Sequence, residues 1–600
     1  MAAAAPEWIA TIRDAALSTP TQALWAAGGL LAFAMLLRLL WHPSVPSVSV
    51  SFEADAPGAS AELSPGQLPC HDPSTGAFLG AVACESSASV EARVQRARAA
   101  QKQWAATTFG TRRQLLRIIS KCVLEHAAEI CRVSARDSGK TTTDAAFGEV
   151  LVTLEKLCWL CAEGESALKP ERRSPGRMLF YKVARVEWHP RGVLGAIVPW
   201  NYPFHNILNP VSAAVFSGNA IIVKVSEHSL WSSKFYGRLL EKCLQAAGAP
   251  PDLVQVIAGD GTTGATLTRN VDMMTFVGST RVGKLVMREA ANTLTPVVLE
   301  LGGKDPFVLL PGTKVDAVVD VAARAGWGAS GQNCIGAERF FVHASLFEEF
   351  SSKICAIAGK MRQGVPLNAE GNTGVDIGAM CLPGEAKRIQ SLVDDAVAHG
   401  ATVGAGGKGS DSNGAQFFEP TVILVPKPST SAGMRLLSEE VFGPLITVIK
   451  FENDDELIQM CNDCPFALGS SIFGHDEHVR RVGKHIQAGM LACNDFATCY
   501  MCQSLPMGGL KDSGFGKFAG VEGLRGCCVT KAVVEDRFSF MRTQLPPPLK
   551  YPLSDVAYPF VEGLMNFFYG ASLRAKVGGI ITLLQCVVLP SSISPKRKAA

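Results

Sequence analysis

Cys334 stands in Gly331-Gln332-Asn333-Cys334-Ile335-Gly336, just after the amphipathic run Val315 to Trp327. Upstream, Glu300 stands in Leu299-Glu300-Leu301-Gly302-Gly303-Lys304. A thiol in a loop of small residues, with a carboxylate beside a glycine pair, points to covalent catalysis. The thiolate attacks an electrophilic carbon, and the carboxylate then activates water. The chain holds 18 cysteines, and a cysteine taken at random is far more often a small buried hydrophobe than a nucleophile. The neighbours of Cys334 are what single it out. Cys158 and Cys161 form a CxxC, but no second pair or histidine cluster follows at zinc spacing and the pattern there is helical, so no metal site is expected.

Three further segments carry polar groups at the ends of apolar runs. In Pro199-Trp200-Asn201-Tyr202-Pro203 a strand pattern ends in a proline-bounded turn that opens a helix. Asn201 then sits at the carboxyl edge of a sheet, where ligands bind in open α/β folds. Its amide can donate to a developing oxyanion, or serve as an Asx turn or N-cap. Lys224-Val225-Ser226-Glu227 follows the next strand. A carboxylate at the end of a second strand can bind ribose hydroxyls, which favours NAD over NADP, although the pair also reads as a solvated ion pair. Phe276-Val277-Gly278-Ser279-Thr280-Arg281-Val282-Gly283 reads as strand, turn and helix start, where backbone N–H groups and the helix dipole can hold a pyrophosphate.

The elements that must position these residues alternate. Val193–Val198, Ala220–Lys224, Val254–Ile257 and Met274–Val277 are short buried-strand runs, with helical patterns near Asn206–Ser217 and Ser229–Ala247. Strands alternating with helices imply a parallel sheet in a doubly wound α/β domain. Helical patterns at Ser89–Thr108 and Arg112–Asp137 precede it. Tyr181–Trp188 and Val529–Val534 look like strands outside the alternation.

Six hundred residues suggest two or three packed units, and a net charge of +3 gives no sign of a nucleic-acid partner. Thr21 to Trp41, TQALWAAGGLLAFAMLLRLLW, is long enough to cross a bilayer, with Arg38 placed to snorkel and Trp25 and Trp41 near the interfaces. A cleaved signal peptide or a buried helix are the alternatives, but there is no strongly basic leader and no clear cleavage site. Residues 42–65 read as a linker and the body as starting near Gly66. Pro546-Pro547-Pro548 closes the body. Val556–Tyr569 and Val577–Leu589 are apolar stretches, each too short to span alone, that either pack on the body or lie in a membrane interface.

Taken in order, these pieces resemble the NAD(P)-dependent aldehyde dehydrogenase superfamily over roughly residues 66–540. The PWN, K-x-x-E, G-S-T-x-x-G, E-L-G-G-K and G-Q-x-C segments are joined by Glu439-Glu440-Val441-Phe442-Gly443-Pro444 and by Pro506-Met507-Gly508-Gly509-Leu510-Lys511-Asp512-Ser513-Gly514. Met507 replaces a common phenylalanine. The resemblance implies a Rossmann-type NAD-binding domain at 66–304 with oligomerisation strands inserted at 177–189. It implies a catalytic domain at 305–515, an oligomerisation strand within 525–545, and a tail at 546–600. It makes Cys334 the nucleophile, Glu300 the base that activates water, and Asn201 an oxyanion donor with the backbone N–H of Cys334. The cofactor residues it implies are Lys224, Glu227, Gly278, Ser279, Gly283, Glu440, Phe442 and Trp200, for NAD rather than NADP.

The apolar ends narrow the resemblance to the membrane-anchored plant family-22 aldehyde dehydrogenases and their fungal relatives. Lys596-Arg597-Lys598-Ala599-Ala600 resembles a K-x-K-x-x retrieval signal, or is a solvated basic tail. With no Asn-x-Ser/Thr acceptor in the chain, a single-pass endoplasmic-reticulum protein with a cytosolic body is expected. A homodimer or homotetramer is the expected assembly. The alternatives in function are an acylating relative that passes the thioester to coenzyme A, which the presence of Glu300 disfavours, and an inert scaffold, which the intact Cys334, Glu300 and Asn201 disfavour. Tyr202, His205, Asn206 and Asn209 share one helix face that, by resemblance, lines the substrate tunnel. That face is more polar than a fatty chain needs, whereas a membrane anchor favours lipid aldehydes.

Overall fold

The computed structural model describes residues 45–51, 63–368, 371–412, 415–426 and 433–588. The expected membrane segment 21–41 lies outside these residues. Among them, no helix is long and apolar enough to cross a membrane.

Five parallel strands form the first sheet, in the spatial order Val254–Ile257, Ala220–Lys224, Val193–Ile197, Met273–Val277, Val297–Glu300. Ala220-Ile221-Ile222-Val223-Lys224 is buried throughout, as a strand must be when helices cover both faces of a parallel sheet. Pro203–Phe216, Leu230–Ala247, Gly261–Asn270 and Thr280–Ala291 are the alternating helices. The strand order reverses between Val193–Ile197 and Met273–Val277, and the crevice for a ligand opens at such a reversal. Asn201 follows the first of these strands and Gly278 the second.

The second sheet orders Thr402–Ala405, Thr421–Val425, Leu445–Phe451, Ala337–His343, Asp305–Leu309, Ser471–Phe473 and Ala492–Cys493. All its pairings are parallel except that of the edge strand Thr402–Ala405. Phe307 anchors its core, with ring centroids 5.0 Å from Phe340 and 4.7 Å from Phe473. The chain then crosses back. Gly514–Phe515 pairs antiparallel with Val297–Glu300, Gly514 opposite Glu300, so the end of the second unit becomes an edge strand of the first sheet.

A third sheet joins Glu171–Arg173, Lys182–Pro190 and Cys528–Asp536, all antiparallel. The sequence placed two such strands at 177–189 and 525–545. The structure starts the first at Lys182 and adds a short partner, Glu171–Arg173, before it.

The linker reading of 42–65 needs correction at its start. Val48 and Val50 are buried in the core of the first unit. Lys121 Nζ donates to the Val45 carbonyl at 2.8 Å, and His126 Nε2 lies 2.9 Å from the Val48 carbonyl. Alternating valines in a Pro/Ser-rich stretch resemble linker composition, but here they are the buried side of an extended segment. At the other end, the apolar tail forms two helices, Ala557–Tyr569 and Leu573–Val588.

Candidate active site

Helix Val315–Trp327 delivers the chain to a tight turn, Gly328–Gly331, and Cys334 follows before the strand Ala337–His343. Ala329 and Ser330 both take left-handed backbone, φ 53° and 59°. Such conformations cost a non-glycine residue roughly 1–3 kcal/mol and persist only when the surroundings fix them. Here Ser330 Oγ donates to the Gly378 carbonyl at 3.1 Å, and Gln332 Nε2 donates to the Ala329 carbonyl at 3.2 Å. Three loops then interlock through glycine. A Cβ on Gly331 would strike the Gly443 carbonyl, one on Gly303 the Cys334 carbonyl, and one on Gly302 the Glu440 carboxylate. The glycine pair after Glu300 is thus dictated by the close approach of the Glu440 carboxylate and the Cys334 backbone.

Cys334, Glu300 and Asn201 open onto one cavity of about 710 Å³. Glu300, at the end of its strand, is 1% exposed. One of its carboxylate oxygens has no hydrogen-bond partner among the described residues, and the Cys334 thiol is a hydrogen-bonding neighbour of the group. Burial pushes the Glu300 carboxyl up to about 7. Burial first, then the charge of Glu300, raise the Cys334 thiol above its ordinary range. The two groups therefore compete for a proton. A carboxyl poised near neutrality can take one from the thiol or from water. Asn201 Nδ2 donates to the Gln332 carbonyl at 3.1 Å, and its Oδ1 accepts from Asn206 Nδ2 at 3.2 Å. The amide is aimed along the Cys334 loop.

Two buried ion pairs fix the walls. Lys140, 1% exposed, donates to Glu149 at 2.7 Å and to the Asn201 carbonyl at 2.5 Å, with its ammonium 4.2 Å from the Tyr202 ring centroid. Glu149 also accepts the backbone N–H groups of Phe204, at 2.6 Å, and His205, at 3.3 Å, which open helix Pro203–Phe216. On another side Lys304 donates to Glu338 at 2.7 Å. Glu338 in turn accepts the N–H groups of Val441 and Phe442, each at 3.0 Å to Oε1. That holds Phe442 at φ 50° and its ring edge-on to Trp200, 5.6 Å away. Glu440 accepts the Gly303 N–H at 2.8 Å. Burial, with Glu338 next, pushes its carboxyl up to about 8.

The structure brings together Cys334, Glu300, Asn201, Trp200, Gly278, Ser279, Glu440 and Phe442 on the cavity wall. Ser279 occupies the N-cap of helix Thr280–Ala291 and its side chain makes no capping bond, leaving the helix start open. Gly283 is different. It is buried, its N–H bonds the Ser279 carbonyl, and a Cβ there would strike Leu301. It therefore serves helix-to-sheet packing and does not reach the cavity. Lys224 and Glu227 lie off the cavity at the end of the strand Ala220–Lys224, bonded at 3.2 Å. Burial opposes the charge of Glu227, but Lys224, a backbone N–H and His228 together hold the carboxylate below its ordinary range. The open helix start, the strand reversal and the ionised Glu227 fit a dinucleotide.

The expected tunnel face is only partly right. Tyr202, His205 and Asn206 line the cavity, whereas Asn209 is buried away from it. His205 spends its polarity internally. Nδ1 lies 2.9 Å from Thr153 Oγ1 and Nε2 2.5 Å from the Tyr500 hydroxyl. Burial drives its pKa down to about 3, so it stays neutral. Phe147, Val152, Phe496, Met501, Met507 and Phe518 form an apolar stretch of the wall, and Asn333, Glu385, Arg388 and Thr498 add polar groups elsewhere on it. Arg324 stands 2.8 Å from Asp144 and 5.7 Å from the centroid of the exposed Phe147 ring, at the rim. A π-helical stretch, Ala146–Leu151, presents Phe147 and Gly148 to the cavity and Glu149 to Lys140. Sequence reading missed Lys140, Glu149, Glu338 and Tyr500. None of them stands in a motif, and only a buried partner gives each its role.

A model of the aldehyde dehydrogenase family matches residues 61–533. The chain is 40% identical over 539 residues to an aldehyde dehydrogenase-like protein of Saccharomyces cerevisiae, covering 86% of this chain and 82% of that one. It is 31% identical over 502 residues to a 4,4'-diapolycopene aldehyde oxidase of a Methylomonas species, covering 83% and 90%. A crystal structure of a betaine aldehyde dehydrogenase point mutant from Staphylococcus aureus, in complex with NAD+ and with a BME-modified cysteine, superposes with a TM-score of 0.71 at 28% identity, covering 81% of this chain and 96% of that one.

Proposed function

The chain belongs to the aldehyde dehydrogenase family, and from that premise we propose that it oxidises an apolar aldehyde to the carboxylic acid with NAD. The observation that carries this reading is the convergence of Cys334, Glu300 and Asn201 on one largely apolar cavity. The Cys334 sulfur, its proton passed to Glu300, bonds to the aldehyde carbon, and the carbonyl oxygen takes the electron pair as an oxyanion. Asn201 Nδ2 and the backbone N–H of Cys334 donate to that oxygen, with Lys140 fixing the Asn201 backbone. A bound nicotinamide supplies the hydride acceptor. Once the carbonyl reforms as a thioester and Glu300 has released its first proton to solvent, Glu300 takes a proton from water, the hydroxide adds to the acyl carbon, and the carbon–sulfur bond breaks to release the acid, Glu300 returning its proton to the sulfur.

Trp200, Gly278, Ser279, Glu440 and Phe442 would hold the nicotinamide half, and Lys224 and Glu227 the adenosine ribose. The family uses NAD or NADP. The preference for NAD rests on Glu227, whose ionised carboxylate accepts from ribose hydroxyls and repels a 2′-phosphate. The apolar wall, and the likeness to an oxidase named for a polyene aldehyde, favour a long apolar substrate. The apolar segment 21–41 supports a membrane-anchored enzyme of the plant family-22 type with a cytosolic body, and the half-buried strand Lys182–Pro190 with the largely exposed strand Cys528–Asp536 supports a homo-oligomer.

Purified protein incubated with a panel of aldehydes, with and without coenzyme A, tests this. NADH should form without coenzyme A and faster with long apolar aldehydes than with short polar ones. Dependence on coenzyme A, or no turnover of any aldehyde, would refute the reading. Protease protection on intact microsomes tests the topology, digestion of the body without detergent being the expected result.

A further inference from the structure

The helices Ala557–Tyr569 and Leu573–Val588 pack on each other as a hairpin, and outside that contact their main packing is on the turn Pro547–Leu549. Their closest approach is through glycine. A Cβ on Gly563 would meet the Gly579 carbonyl at 3.1 Å, and one on Gly579 would meet the Phe567 N–H at 2.5 Å and the Gly563 carbonyl at 2.7 Å. Only a small knot, Val556, Phe560 and Cys586 with Leu549, Leu564 and Leu583 against it, is apolar inside. The large apolar side chains point outward: Val561, Met565, Ile580, Ile581, Leu584 and Val587 are exposed. An αα-hairpin made for water does the reverse, burying its large apolar stripe and turning polar residues out. Small residues at the crossing, with large apolar side chains turned outward and only Glu562 and Asn566 as exposed polar groups along the first helix, match the arrangement of helices packed in lipid.

What flanks the hairpin agrees. Tyr558 and Tyr569, 72% and 63% exposed, mark the two ends of the first helix, as tyrosines do at headgroup level. Arg574 and Lys576 stand at the turn, and Lys596, Arg597 and Lys598 follow the second helix in sequence. With 13 and 16 residues, the helices reach about 20 and 24 Å, short of the ~30 Å of a hydrocarbon core. Their chemistry suits the interfacial layer.

We propose that the hairpin 557–588 is a bilayer-binding element that lies in the interface of an anionic membrane, with its apolar flanks among the acyl chains and its cations at the headgroups. It is a second membrane contact, separate from the segment 21–41, and would hold the tunnel of an apolar-aldehyde enzyme close to the phase in which such substrates dissolve. It rests on the hairpin's own packing and does not require the anchor reading.

The full-length protein is bound to phosphatidylcholine–phosphatidylserine vesicles that carry a photoactivatable acyl chain, irradiated, and mapped by peptide mass spectrometry. Acyl-chain adducts are expected on the exposed positions around Val561, Met565, Ile580 and Leu584. The full-chain variant Ile580→Glu/Leu584→Glu should lose those adducts while oxidising aldehyde at the wild-type rate. Adducts on 557–588 without any on 21–41 would remove the anchor and keep the hairpin. Adducts confined to 21–41, or cross-links through 557–588 to a second copy of the chain in place of lipid, would overturn the proposal.

Discussion

Two buried lysine–glutamate pairs flank Cys334, built alike and serving different walls. Lys140–Glu149 lies under Asn201, and its carboxylate gathers the N–H groups of Phe204 and His205. Lys304–Glu338 lies under the Glu440–Phe442 loop, and its carboxylate gathers the N–H groups of Val441 and Phe442. In both, a carboxylate neutralised by lysine organises the backbone of a segment that carries a site residue. The difference is where the lysine goes next. Lys140 also donates to the Asn201 carbonyl, so it touches a site residue directly, whereas Lys304 donates to Glu338 and reaches Glu440 through its charge alone. Under the proposed function, one pair would act on the substrate side of the thiol and the other on the cofactor side. Buried ion pairs like these add little net stability but are costly to break. Their value here is in fixing two loops around one thiol.

Silencing the group between the walls has the largest effect. Cys334→Ala is expected to abolish aldehyde oxidation while leaving NAD binding intact by calorimetry, because the contacts assigned to the cofactor lie on the other residues. Residual turnover in that variant would break the assignment for both walls.

Removing one lysine at a time comes next. Lys140→Met and Lys304→Met should each destabilise the protein by about 3–5 kcal/mol, the cost of leaving a buried carboxylate alone, read as a fall in the denaturant midpoint. Their kinetics should diverge. Lys140→Met should lower kcat and the NADH burst with little change in KM for NAD, and Lys304→Met should mainly raise KM for NAD. The same kinetic signature from both would erase the distinction drawn between them.

Glu300→Gln should cut steady turnover by ~10²-fold or more, the scale of a lost general base, while a burst of NADH persists. In the wild-type protein the steady rate should rise with pH through about 7, because Glu300 acts as the carboxylate and its carboxyl is pushed up to that value. Burst and steady rate falling together, or a rate that declines as pH rises through 7, would move the base elsewhere.

The smallest effect is expected off the cavity. Glu227→Gln should narrow the preference for NAD over NADP by roughly tenfold, about 1.4 kcal/mol, measured as the ratio of kcat/KM values. An unchanged ratio would leave cofactor choice to some other group.

Much of this was legible in the chain. Strand runs such as Ala220–Lys224 and the helix Val315–Trp327 carry their period in adjacent residues, so local pattern located them. The motifs around Cys334, Glu300, Asn201 and Glu440 picked out residues that the structure brings to one cavity, for the same reason. Gly283 was misread because a glycine spacing looks alike whether backbone meets phosphate or helix meets sheet, and only the nearby Leu301 side chain tells the two apart. His205 looked like a polar tunnel wall because sequence shows a side chain's polarity and not whether Tyr500 and Thr153 have already satisfied it.

The sequence by itself determined the family, the alternation of strands and helices, and the motifs that hold Cys334, Glu300 and Asn201, since each is written in residues close together in the chain. The tertiary structure decided which charges are neutralised and where. Lys304 finds Glu338 and Lys140 finds Asn201 across strands and turns that only packing brings together. It likewise decided that the C-terminal helices close on glycine and turn their apolar faces outward. Local pattern sets what an element is, but the partner of a buried charge, or the solvent an apolar face meets, depends on groups distant in sequence.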